Sequence, residues 1–146
     1  MATEAQLQSD LQAAMKARAA DKMSVLRDVI AAIKNLKVEK MIPAVSEADI
    51  VTLVRREINK RNEATEFAHK ANRADLVQKN EAERAILEVY LPQQLSATEL
   101  EAVIQALAAE LGSTQIGPLM AKLRERHAGT FDGKVASELI KKLAAG

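Results

Sequence analysis

Apolar residues recur at three- and four-residue steps along almost the whole chain, the spacing of one buried helical face. Over residues 4–19 that stripe is Leu7, Leu11, Ala14 and Met15. A second helix is predicted from Asp21, its expected cap, to about Lys40, on Met23, Leu26, Ile30 and Ile33. Pro43 ends that segment, because the residue before a proline is pushed out of the helical region. Ser46-Glu47-Ala48-Asp49 then has the form of a capping box with a short acid in its last position. It opens a third helix reaching roughly Lys70, with Ile50, Leu53, Val54 and Ile58 inward. Ala71-Asn72-Arg73 marks a break, and Asp75 to Tyr90 reads as a fourth helix with Leu76, Ile86 and Leu87 on its apolar side.

Leu91-Pro92-Gln93-Gln94-Leu95 is the best boundary, followed at once by a full capping box, Ser96-Ala97-Thr98-Glu99. A fifth helix runs to Leu111 on Leu100, Val103, Ile104 and Leu107, and Gly112 stands where a left-handed stop is expected. A sixth covers about Ile116 to Ala128 before Gly129. A seventh starts at Asp132 or Gly133, with Val135, Leu139, Ile140 and Leu143 on one face. No segment alternates as a strand does. The expected fold is all-α: a larger N-terminal unit of about four helices, residues 1–93, then a small three-helix unit, residues 94–146.

Composition narrows the class. Of 146 residues, 27 are alanine and only Phe67, Tyr90 and Phe131 are aromatic, so Leu, Ile, Val and Met must fill the core. No run approaches the ~18–20 apolar residues of a membrane span, and no secretory leader is visible. Zero cysteines exclude disulfides, thiolate metal sites and a cysteine nucleophile. A cytoplasmic location is expected. The net charge is +1, with 15 basic against 14 acidic residues through Gln94 and 6 against 6 beyond it. Any nucleic-acid surface must therefore come from sorting charges onto faces rather than from bulk charge.

Catalytic signatures are sparse. A nucleophilic Ser or Thr needs a base within reach, and the two histidines, His69 and His127, lie in no recognisable signature. A phosphate-cradling Gly-x-x-x-x-Gly-Lys-Ser/Thr loop is absent. Glu66-x-x-His69 has the spacing of helical di-metal sites, but the second pair such sites require is missing. Gly129 to Lys134 could present backbone N–H groups to an anion, or could be a helix stop and an ordinary turn. No catalytic residue, metal or cofactor is expected.

Charge sorting is more informative. At 100° per residue, Arg27 and Lys34 share one flank of the second helix with Lys37 beside them, while Asp28 and Glu39 point further round. Arg56, Lys60 and Phe67 share a stripe on the third helix, and Lys122 and Arg126 stand one turn apart on the sixth. These cations, with Lys134, are the candidate RNA contacts; the plainer reading of each group is a solvated flank whose stems cover apolar surface. Glu57 and Arg61, one turn apart on the side expected to be buried, read as a structural ion pair. Three aromatics cannot build a stacking platform for sequence-specific single-strand reading, so an RNA partner would be a structured one held by its backbone.

Several of these segments also resemble a known family. Ser24-Val25-Leu26-Arg27, Ile33-Lys34, Glu57-Ile58-Asn59-Lys60-Arg61-Asn62-Glu63, Arg73-Ala74-Asp75-Leu76, Glu81 and Glu83 look like YqeY-like (GatB/YqeY) proteins. So do Tyr90-Leu91-Pro92-Gln93-Gln94-Leu95-Ser96, Ile116-Gly117-Pro118-Leu119-Met120, Gly129 and Asp132-Gly133-Lys134, in the right order over nearly the whole chain. Such proteins are similar to the helical tail of the B subunit of the glutamine-dependent aspartyl/glutamyl-tRNA amidotransferase. The resemblance implies a two-part helical fold and a link to tRNA, without the amidotransferase active site. Thr130-Phe131 stands where many relatives are expected to carry a basic residue, which would weaken a phosphate contact in that loop.

The leading expectation is a non-catalytic tRNA-associated module. The alternatives are a protein-interaction adaptor and a carbon–nitrogen ligase using glutamine as amido donor within a larger assembly. Neither DNA nor a membrane is an expected partner.

Overall fold

The computed structural model describes residues 2–146, and among them the fold is all-α. It comprises α1 (Glu4–Ala17), α2 (Ala20–Lys40), α3 (Glu47–Lys70), α4 (Ala74–Glu88), α5 (Ala97–Leu111), α6 (Ile116–Arg126) and α7 (Gly133–Ala145). The chain divides into two compact units, the first ending at Leu91 and the second beginning at Pro92. In the first, α1 packs on α2, α2 meets α3 and α4, and α3 and α4 form a long hairpin. Its core gathers Leu7, Val25, Leu26, Val29, Ile33, Ile50, Val54, Leu87 and Tyr90. The second unit is a triangle of α5, α6 and α7 around Leu100, Ile104, Leu107, Leu119, Leu123, Phe131 and Ile140.

Local chemistry explains most helix starts. Both capping boxes form: the Ser46 hydroxyl accepts from the Asp49 N–H at 3.1 Å while the Asp49 carboxylate accepts from the Ser46 N–H at 3.2 Å. That second bond, from the Ser46 backbone, holds the Asp49 carboxyl below its ordinary range. Ser96 and Glu99 repeat the pattern at 3.1 and 3.2 Å. Asp21, expected to cap α2, instead lies inside its first turn; the cap position is Ala19, which offers no side-chain acceptor. Thr3 caps α1 through the Gln6 N–H.

Helix ends differ more from expectation. α1 stops at Ala17, two residues early, because Arg18 takes the left-handed conformation with φ 54°. Met41 ends α2 in the same way, with the Met41 N–H bonded to the Val38 carbonyl and the Ile42 N–H to the Lys37 carbonyl. This is the Schellman closure that usually employs glycine. α6 ends at Arg126 rather than Ala128, since His127 leaves the helical region. A left-handed residue bearing a Cβ is strained by ~1–2 kcal/mol, part of which glycine returns as unfolded-state entropy. Met41 is 91% exposed, so its side chain contributes little packing. Met41→Gly is therefore expected to stabilise the protein by about 0.5–1 kcal/mol in urea denaturation.

Three positions expected inside are not. Met15 is 48% exposed, because Leu7, Leu11 and Ala14 already complete the inner stripe of α1 and Met15 lies one step past it. Val135 is exposed because α7 buries Ala136 and Ile140 instead. Leu76 sits in the first turn of α4, and the α4 residues that enter the core, Ile86 and Leu87, lie about three turns further along.

Candidate nucleic-acid interface

The candidate cations of the first unit fall on two helices that touch. Arg27 and Lys34 stand two turns apart on α2, ~10 Å along its axis. Both are exposed, and neither meets a carboxylate among the described residues. Lys37 is different: its Nζ lies 2.6 Å from Glu4 Oε1, in a partly buried pair joining α1 to α2. On α3, Arg56 is exposed and unpaired among the described residues. The Lys60 Nζ reaches Glu57 Oε1 at 3.2 Å, though its side chain remains largely in solvent.

α3 also carries the buried polar cluster of the unit. Glu57 and Arg61 are 6% and 8% exposed and are the only buried charged residues among those described. The Arg61 Nη1 donates to Glu57 Oε2 and, at 3.3 Å, to the Glu57 backbone carbonyl. Its Nη2 donates to Asp28 Oδ2 at 3.1 Å and its Nε to Glu83 Oε1 at 3.3 Å. One guanidinium thus ties α2, α3 and α4 together. Burial works against its charge, but the hydrogen bonds it donates to Glu57 and Asp28 outweigh that and hold its pKa above the ordinary arginine value. A second polar link joins α3 to α4, from Arg84 Nη1 to Asn62 Oδ1 at 3.0 Å. The Tyr90 hydroxyl donates to Asp10 Oδ2 at 2.5 Å, tying α1 to the end of α4.

Of the three candidate cations in the second unit, Arg126 and Lys122 meet acids. Arg126 makes a two-pronged pair with Glu110 at 2.6 and 2.7 Å, which pulls the Glu110 carboxyl below its usual range. Lys122 approaches Glu125 at 3.4 Å. Lys134 is exposed without a carboxylate partner among the described residues, but its backbone N–H is taken by Asp132 Oδ1 at 2.8 Å. The first turn of α7 is therefore capped by the chain's own acid. The loop before it is structural: Leu95 N–H donates to the Thr130 carbonyl at 2.8 Å, Gln94 Nε2 to the Gly129 carbonyl at 2.8 Å, and Phe131 is buried.

At the α3–α4 turn, Phe67 is 70% exposed and the Lys70 ammonium lies 5.9 Å from its ring centroid. An open cleft of about 620 Å³ in the same turn is lined by His69, Asn72, Arg73, Asp75 and neighbouring residues. Arg73 is committed to Asp75 there at 2.9–3.0 Å, and its hydrogen bonds draw the Asp75 carboxyl down to about 2. No group of three His, Cys, Asp or Glu side chains capable of holding a metal occurs among the described residues.

A family model for YqeY-like proteins matches residues 4–144, which takes in all seven helices but for the last residue of α7. The chain belongs to that family. It is also 31% identical over 109 residues to "Altered inheritance of mitochondria protein 41, mitochondrial" of Lachancea thermotolerans, covering 73% of this chain. The chain spans 58% of that relative's length. In this YqeY-like chain, several residues that carry the family likeness are occupied by the fold itself. Glu57, Arg61 and Glu83 form the buried cluster, Gln94 and Leu95 fasten the Gly129–Thr130 loop, and Asp132 caps α7. Asp28 and Glu83 were not legible as partners of Arg61, since they lie 33 and 22 residues from it. Among the described residues no helix is long and apolar enough to cross a membrane.

Proposed function

We propose that this YqeY-like chain is a non-catalytic module that holds a structured RNA, tRNA foremost, by its phosphate backbone. The observation that carries the reading is the set of exposed α2 and α3 cations, Arg27, Lys34 and Arg56, that no carboxylate neutralises among the described residues, with Lys60 beside them. A backbone-held RNA requires placed cations rather than aromatic platforms. Lys37, Lys122 and Arg126, each bound to an acid, are secondary contributors, and Lys134 is a separate contact in the second unit. The compartment we propose is the cytosol; the mitochondrion, named for the relative above, is the alternative that cell fractionation decides.

Mobility shift of tRNA at several salt concentrations tests the surface. Removing one phosphate contact lowers the slope of log affinity against log salt by about one. Lys34→Glu and Arg56→Glu are each expected to weaken binding and flatten that slope. Equal affinity and slope for the wild type and both variants would remove the surface from the proposal.

A further inference from the structure

Tyr90 and Phe131 are buried, so Phe67 is the one exposed residue among the chain's Phe and Tyr, and the chain has no Trp. It lies on a continuous line of α3: residues 56, 60, 63, 67 and 70 fall within about 80° of one another at 100° per residue. Arg56, Lys60 and Lys70 give that line three cations against one carboxylate, Glu63. Lys70 has no carboxylate partner among the described residues, and its ammonium lies over the Phe67 ring. Arg56 and Lys60 are ~6 Å apart along the axis, and Phe67 stands ~10 Å beyond Lys60. A large apolar ring left in water gains nothing for the fold, whereas an aromatic face beside cations matches a nucleotide, which joins a flat base to an anion.

We infer that Phe67 stacks on one unpaired base of the bound RNA while Lys70 takes the phosphate beside it. This rests on the RNA reading above and adds what that reading lacks, a preference for RNA with an unstacked nucleotide over a plain duplex. Phosphate contacts along Arg56 and Lys60 set position, and the ring selects for a base free to leave its stack. One ring reads one base by its π-face, so the preference is for structure, not for sequence.

The chain has no tryptophan, so Phe67→Trp installs a unique fluorescent reporter at the site. The probes are a blunt RNA duplex and a hairpin with the same stem closed by an unpaired loop. Stacking predicts that the hairpin, and not the duplex, quenches the indole emission of the Phe67→Trp variant, which keeps wild-type affinity. Phe67→Ala, at a position exposed enough to leave folding intact, is expected to lose on the order of ten- to a hundredfold in hairpin affinity. Its duplex affinity stays at the wild-type value. Hairpin binding without quenching, or equal loss on both probes, overturns the stacking and leaves the phosphate surface standing. Absence of wild-type binding to either probe overturns both.

Discussion

Replacing Arg61 by methionine is expected to destabilise the first unit by about 3–5 kcal/mol, the cost of stranding buried charge when one partner of an ion pair is removed. Methionine nearly preserves the length and volume of the arginine stem, so lost packing contributes little and the deficit is electrostatic. Glu57 is 6% exposed and Glu83 largely covered, so neither carboxylate can recover full hydration once the guanidinium is gone. Asp28 is half exposed and rehydrates cheaply. The loss therefore falls on Glu57 and Glu83. Urea denaturation should show a lowered midpoint with an unchanged slope. Adding Glu57→Gln and Glu83→Gln to Arg61→Met should restore a large part of the loss, because neutral amides bury at far lower cost. An Arg61→Met loss below about 1 kcal/mol would mean that the cluster behaves as an exposed pair. The cluster also bears on the proposed RNA surface. Asp28 and Arg61 belong to α2 and α3, so the bridge between them joins the two helices that carry the candidate cations.

Leu123→Ala is expected to unfold the second unit at physiological temperature. Leu123 is fully buried among Leu100, Ile104, Leu119 and Ile140. Truncating a buried leucine costs ~2–5 kcal/mol, through lost transfer energy and the cavity left behind. A unit of about 55 residues buries a small share of its surface and holds little stability in reserve. Hydrogen exchange should show amides of α5, α6 and α7 losing protection while those of α2 and α3 keep theirs. Retained protection in α5 to α7 would show that the second unit is more stable than its size implies.

What the sequence by itself determined is the part governed by neighbours within one helical turn. The two Ser-led boxes, the Gly112 stop and the inner stripes of α2, α3 and α5 follow from contacts three and four residues apart, and all of them form. The spacing of Glu57 and Arg61 is of the same local kind. Helix ends without a glycine were not legible: Arg18 and Met41 take left-handed φ although nothing in their residue type favours it. Asn72 does the same with a more permissive side chain.

Only the tertiary structure decided which charges are neutralised. A helical wheel assigns Lys37, Lys122 and Arg126 to outward flanks just as readily as it assigns Arg27, Lys34 and Arg56. The difference for Lys37 and Arg126 is that another helix delivers a carboxylate, as α1 does with Glu4 and α5 with Glu110. In the same way Glu83 and Arg84 of α4 find their polar partners on α3, while the core takes Ile86 and Leu87 and leaves Leu76 outside. Short-range periodicity fixes which face of a helix is wet. The partner that arrives from 20 or 30 residues away fixes which of its charges remain free, because Coulomb attraction between side chains acts over a few ångströms of space and is indifferent to separation along the chain.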